Sequence, residues 1–308
     1  MTLLAVGLRS AQTGAVNVPA LLWLFRLVWL ALPFTLLEHL VDATAGDRSA
    51  PRLAAQVLFW VLWGVTFTAS LVPLPSTLTL TRILAPTAPA AWIAAAIVVS
   101  PSAAGWAGLA CGTFAAVVVM AASVGDWFVD GPSYGDERRM ALRPPAALLV
   151  GPLQVAWVLT VVPVPAGVML LAAGVWLLGV PLAVLGCATA WWGFFALWRL
   201  SRRWAVFVPA GMTLVDDMAL GEPILLRADA ITRLGPAHEG TDALDLTVRA
   251  PGLVLEADLC EPVHLVPAVT GRDAVAEPTE ATAILFVPSR PGALLAHADQ
   301  RDLAVDRG

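Results

Sequence analysis

The chain of 308 residues contains no lysine; all 18 basic residues are arginine. That absence removes chemistry that depends on a side-chain amine. A P-loop sets a lysine on its phosphates, and a pyridoxal enzyme forms a Schiff base through one. Charge of either sign is scarce as well. Charged residues make up 13% of the chain and hydrophobic residues 58%, against roughly 25% charged in an ordinary soluble domain. The shortfall is concentrated between residues 20 and 200, so the solvent for that part is a bilayer. The three cysteines, Cys111, Cys187 and Cys260, include no CxxC pair. They imply neither a zinc site nor a redox motif and suit small buried apolar positions. His238, His264 and His297 share no HxH or HxxxH spacing, so no metal centre is expected, and no cofactor.

What the chain does have is a series of apolar runs near the length of about 20 residues that a crossing helix needs. They cover Leu21–Val41, Leu53–Val72, Arg82–Ser100, Ala103–Val124, Ala146–Val162 and about Pro181–Leu200. A polar loop, residues 125–145, separates the fourth from the fifth. Residues 164–180 are apolar but short, with Pro163, Pro165 and Pro181 at their edges. They are expected to form a re-entrant or interfacial segment, with a seventh span as the competing possibility. Arginine bears on the choice, because short cytosolic loops collect basic residues. Six crossings with both termini cytosolic put Arg9, Arg82, Arg138, Arg139, Arg143, Arg202 and Arg203 inside and Arg48 and Arg52 outside. A seventh crossing would set the 138–143 cluster and the 202–203 pair on opposite faces and weaken that bias. Ala43-Thr44-Ala45 resembles a signal-peptidase site, but the run before it exceeds a signal h-region and is expected to be a retained anchor. The expected location is the cytoplasmic membrane.

Composition changes at Trp204. Residues 1–203 form the transmembrane helical domain and carry a net charge of +4; residues 204–308 carry seven arginines and sixteen acids, a net of −9. The tail reads as strands. Ala205–Pro209 and Met212–Val215 flank Ala210-Gly211 as a hairpin, and Pro223–Arg227 and Ile231–Leu234 follow. Leu244–Arg249 alternates with period two and turns at Pro251-Gly252 into Leu253–Leu259, a second expected hairpin. Val266–Thr282 is expected as loop, Ala283–Val287 as a strand, and Gly292–Gln300 as a closing helix behind Pro291.

Short hairpin-connected strands closed by one helix, placed after the basic aromatic juncture Arg199-Leu200-Ser201-Arg202-Arg203-Trp204, resemble the bacterial pleckstrin-homology-like domain. The resemblance covers residues 203–301. More loosely, the whole chain looks like integral membrane proteins of high-GC Gram-positive bacteria. The resemblance implies a binding module rather than a catalyst. Relatives of that fold bind anionic phosphoinositides, but a domain of net −9 without lysine is repelled by an anionic leaflet and by nucleic acid. A protein partner or self-association is the expectation that remains.

Three sets of residues stand out. Gly131-Pro132-Ser133-Tyr134-Gly135 matches GxSxG, but a nucleophile elbow needs a strand-to-helix turn, and a chance match is common in a chain with 24 glycines. The loop also holds Arg138, Arg139 and Arg143, which are expected to dock the acidic tail through Asp216, Asp217 or Glu222. Arg26, Glu38, His39 and Arg82 are polar groups in or beside membrane helices; anchoring at the interface by snorkelling is their expected role. The chain is thus expected to be a non-enzymatic membrane protein presenting a cytosolic scaffold or assembly domain. The alternative is a transporter or channel subunit with its pathway near the broken helix 164–180.

Overall fold

The computed structural model describes residues 19–44, 46, 49–268 and 277–306; Arg9 and Arg48 lie outside them. The membrane half consists of helices α1 (Ala20–Thr35), α2 (Leu37–Asp42), α3 (Ser49–Leu71), α4 (Pro75–Leu84), α5 (Thr87–Ala96), α6 (Ala103–Val119) and α7 (Ala122–Asp130), then strand β1 (Arg138–Ala141). Helices α8 (Ala146–Leu149), α9 (Pro152–Val161), α10 (Pro163–Ala172) and α11 (Trp176–Ser201) follow. Proline opens α4, α9 and α10, where its missing N–H costs nothing and its fixed φ suits the first turn.

Among the described residues, four helical stretches are long and apolar enough to cross a membrane: Ala20–Asp42, Ser49–Leu71, Pro152–Ala172 and Trp176–Ser201. A fifth arises if α6 and α7, bent by 59°, form one span. The expected third run, Arg82–Ser100, is instead divided between α4 and α5, ten residues each. Residues 164–180, expected as a re-entrant or interfacial segment, are divided between α10 and the start of α11. The Ala166 N–H donates to Val162 O across the α9–α10 boundary, so Pro152–Ala172 carries one apolar path. A turn at Gly174 (φ 83°) then leads into α11. Residues 164–180 are therefore the facing ends of a helical hairpin. Its helices approach closely: a Cβ at Gly167 would lie 2.6 Å from the Ala183 backbone nitrogen, and one at Gly186 2.7 Å from that of Val164, the small-residue packing that joins helices in lipid.

The carboxy-terminal part is a β-sheet region with a closing helix. It contains β2 (Arg203–Val208), β3 (Gly211–Asp216), β4 (Ile224–Arg227), β5 (Ile231–Pro236), β6 (Leu244–Asp245), β7 (Leu255–Leu265), β8 (Thr279–Phe286) and α12 (Pro291–Asp299). One sheet has the order β1-β2-β3-β4, the other β5-β7-β8-β6. The first expected hairpin is β2–β3, with Val208 opposite Gly211. The second does not form. β7 pairs with β5 and β8, and β6 runs parallel to β8. Side chains break the 244–249 run: Asp245 Oδ1 accepts from Thr247 N and Thr247 Oγ1 from Arg249 N. These turns leave Val248 and Arg249 at φ 50° and 55°, a conformation no strand sustains. Of the expected 266–282 loop, residues 269–276 lie outside the described residues, and its last four, 279–282, are not loop but the first half of β8, where they pair with β7.

Strand β2 of the first sheet is buried on both faces. Ala205, Phe207, Met212 and Leu214 join the core of the β-rich region, together with Met140, Leu226, Ile284, Phe286 and Leu294. Trp204 and Val206, on the alternate face, pack with Phe128, Val124 and Trp127 of α7. Two-sided burial explains why β2 reads as a continuous apolar run instead of alternating. The change of composition at Trp204 is real, but packing crosses it.

Candidate functional site

The most chemically loaded region is where α7, β1 and the start of α12 meet. Asp126 and Asp130 are four residues apart on α7 and almost fully buried (3% and 4% exposed). Asp130 Oδ1 accepts from Arg139 N at 2.8 Å, and Asp126 Oδ1 accepts from Ala141 N at 3.1 Å. The match is geometric. Four residues of helix advance about 6 Å, and two residues of strand about 6.6 Å. Two carboxylates at i and i+4 can therefore cap two N–H groups at j and j+2 on a strand running the other way. β1 pairs with β2 on one side and has its free edge satisfied by α7 on the other. Farther along that edge, Ser289 N donates to Ala141 O and Arg143 N to Val287 O, both at 2.8 Å.

Cations surround the two acids. Arg138 pairs with Asp130, and Arg290, the residue before α12, approaches Asp126 Oδ2 at 3.5 Å. From α4, Arg82 donates through Nε to Val119 O and rests over Gly125, the residue before Asp126. It ties α4, α6 and α7 together. Ser133 donates to Asp130 Oδ1. Here the GxSxG match spans a helix-to-strand turn, the reverse of a nucleophile elbow. Among the described residues no group of three or more His, Cys, Asp or Glu could hold a metal ion.

The expected docking pairs are distributed differently. Arg203, in register opposite Asp216, binds it through bonds of 2.7–2.9 Å. Arg202 takes Asp217 at 3.3 Å. Arg139 pairs with Glu137, and Glu222 is exposed. Arg143 contributes its backbone oxygen, which accepts from Arg203 Nη1 at 2.7 Å; its side chain lies against Gly252. None of the three loop arginines meets Asp216, Asp217 or Glu222 among the described ion pairs. Cross-strand proximity gives those acids to the nearer arginines. The loop joins the tail through backbone instead, by the strand pairing of β1.

The intramembrane polar groups also part company. Glu38 is exposed. Arg26 does not snorkel. It is 6% exposed, donates to Ser70 O at the end of α3, and lies over the Trp23 ring (4.9 Å) and the Trp127 ring (5.7 Å). His39, buried, packs on Trp92 with ring centroids 5.6 Å apart. The strand at 138–141 and the roles of Asp126 and Asp130 escape a sequence reading. Their only trace is the i, i+4 spacing of the two acids.

His297 of α12 extends the site. It sits edge-on to Phe207 at 5.0 Å and accepts from Arg301 Nε. Burial, then the charges of Arg301 and Arg138, hold its pKa below the usual 6.5, against an opposing pull from Asp130 and a bond from Gln300. The folded chain then binds fewer protons at this group than the unfolded one. Its contribution to stability is complete above pH 6.5 and is lost as pH falls through and below that value. Melting in detergent should therefore show a larger drop in Tm from pH 7.5 to 5.5 for the native chain than for His297→Gln; equal drops would refute it.

Comparison with known proteins gives no match: no family model, curated protein or solved structure is significantly similar to the chain.

Proposed function

We propose that this chain is an integral protein of the cytoplasmic membrane that crosses six times and holds a pleckstrin-homology-like domain against the cytosolic surface, as a scaffold or assembly factor for other proteins. The observation that carries this is β1. A strand drawn from between membrane helices completes the sheet of the tail, so the domain is presented at a fixed position instead of on a tether. Two sheets with a closing helix support the resemblance; β1 and the parallel β6 depart from it. In the six-crossing arrangement α4–α5 forms the third passage and α6–α7 the fourth. With four crossings or six, the end of α3, the start of α9 and the end of α11 share a side, together with β1 and the arginines of 138–143 and 202–203.

The exposed surface of the domain carries Glu222, Glu239, Asp242, Glu261 and Glu280. That surface disfavours anionic lipid and nucleic acid and suits a protein partner with a basic face, or self-association. The transporter alternative has less support, because the helix break it required at 164–180 is a hairpin turn. A fluorescent protein fused after Gly308 should glow in cells, and an alkaline phosphatase fusion there should be inactive; the opposite pair of results would overturn the orientation. Purification from mild detergent should bring a stoichiometric partner or a second copy, whereas a lone monomer would count against the scaffold role.

A further inference from the structure

The membrane half contains a groove of about 450 Å³ that the proposed function does not use. It runs from Thr44 and Val98, at the ends of α2 and α5, toward Trp29 and Trp63 in the middle of α1 and α3. Its walls include Leu36, Leu58, Leu62, Ala91, Ala95 and Met169. The floor has its polar groups fully engaged. Trp29 Nε1 donates to Trp63 O at 3.0 Å, and Trp63 Nε1 donates to Trp29 O at 2.9 Å. This reciprocal pair leaves the indole rings as an apolar base and offers no hydrogen bond to an occupant. The two threonines of the lining, Thr44 and Thr87, donate to Val41 O and Leu84 O, and a predominantly apolar cleft of this kind between membrane helices selects a hydrocarbon chain.

A second observation, at the mouth, selects the rest of the ligand. Arg52 lies in the first turn of α3, three residues before Ala55, which lines the groove. At that spacing the two share a helix face one turn apart. Arg52 is exposed and makes no ion pair among the described residues. Among the described residues the acids of this end are Glu38 and Asp42; both are exposed and lie at least about 100° round α2 from the groove-lining positions Leu36, Leu40 and Ala43. A guanidinium at a bilayer interface, one turn outside a chain-sized apolar cleft, matches a phosphate attached to an acyl chain.

We propose that this groove is a phospholipid site: one acyl chain lies against the Trp29–Trp63 floor, and the lipid phosphate binds Arg52. The site does not depend on which side of the membrane the β-rich domain occupies. Failure of the reporter experiment above would leave it standing.

The test is native mass spectrometry of the full chain in detergent, titrated with phosphatidylglycerol, phosphatidylcholine and diacylglycerol. Both phospholipids should be retained at one copy, at least about fivefold above diacylglycerol, which lacks the phosphate. Arg52→Gln should erase that difference. Ala91→Trp, and separately Ala55→Phe, should abolish retention by filling the groove. In the native chain, single-chain phospholipids of increasing length should gain affinity until the chain reaches the floor, and then stop gaining. Diacylglycerol bound as well as phospholipid, undiminished retention in either groove-filling variant that still folds, or a gain unbroken to the longest chain would each overturn the proposal.

Discussion

Replacing Asp216 with alanine should destabilise the β-rich region by about 3–5 kcal/mol. Arg203 and Asp216 face each other across β2 and β3, with side chains 2% and 3% exposed. Three N–H···O bonds join them. Asp216 Oδ1 also accepts from Met218 N and Ala219 N at 3.0 and 3.2 Å and so shapes the turn that follows β3. On the other side, Arg203 Nη1 donates to Arg143 O, which fixes the chain leaving β1. Without the carboxylate, a buried guanidinium keeps one acceptor and loses its counter-charge. Against a total stability of about 5–15 kcal/mol, that loss is large. Denaturant unfolding of the full chain in detergent, followed by protease resistance of the tail, measures it. The double change Arg203→Met with Asp216→Leu should recover most of the loss, because a packed apolar pair removes the desolvation cost along with the bond. An Asp216→Ala chain within 1 kcal/mol of the native one would show that the pair is not buried as described.

Asp130→Ala has the second largest expected effect, about 2–4 kcal/mol, concentrated at the joint between the two halves. The side chain accepts from the Arg139 backbone, from Ser133 and from Arg138. The Arg138 bond contributes the least, since that guanidinium is 40% exposed and solvent screens it. The Arg139 N–H matters more, because it faces α7 with no other acceptor on the free edge of β1. Limited proteolysis between residues 131 and 137 should speed up in Asp130→Ala. Asp136→Ala, at an exposed position in the same segment, should change stability by no more than about 0.5 kcal/mol. Equal effects of the two changes would mean that Asp130 does not hold the strand.

Much of the architecture is legible from composition and period, and the exceptions share a cause. The apolar runs that become α1, α3 and α11 have the length and the uniform hydropathy that a bilayer demands, so their positions follow from local sequence. So does the β2–β3 hairpin, whose two-residue turn leads into Gly211 at φ 146°, where any Cβ would collide with Leu226 O. The α9–α10 path was obscured by Pro163 and Pro165, which look like a break and instead occupy a first turn where proline is tolerated. The 244–249 run kept its alternation but lost its strand to Asp245 and Thr247, whose side chains compete for backbone N–H groups. The joint itself is the least visible part. β1 is four residues long and charged, and it is a strand only because β2 and α7 satisfy its two edges. That is a property of partners 63 to 69 residues away in one direction and 9 and 15 in the other and leaves no periodic trace. Net charge points to the segment that meets the tail but not to its contacts, because it does not specify which arginine lies in register with which acid.

Amide hydrogen exchange of the full chain in detergent tests the central claim most directly. If residues 138–141 are a strand of the tail's sheet, capped by Asp126 and Asp130, their amides should exchange as slowly as those of β2 and β3. In Asp130→Ala they should exchange faster while β3 stays protected. Rapid exchange at 138–141 in the native chain, alongside a fully protected β2–β3 hairpin, would contradict the account: the 131–145 segment would then be a free loop and the domain would be attached to the membrane half only through α11.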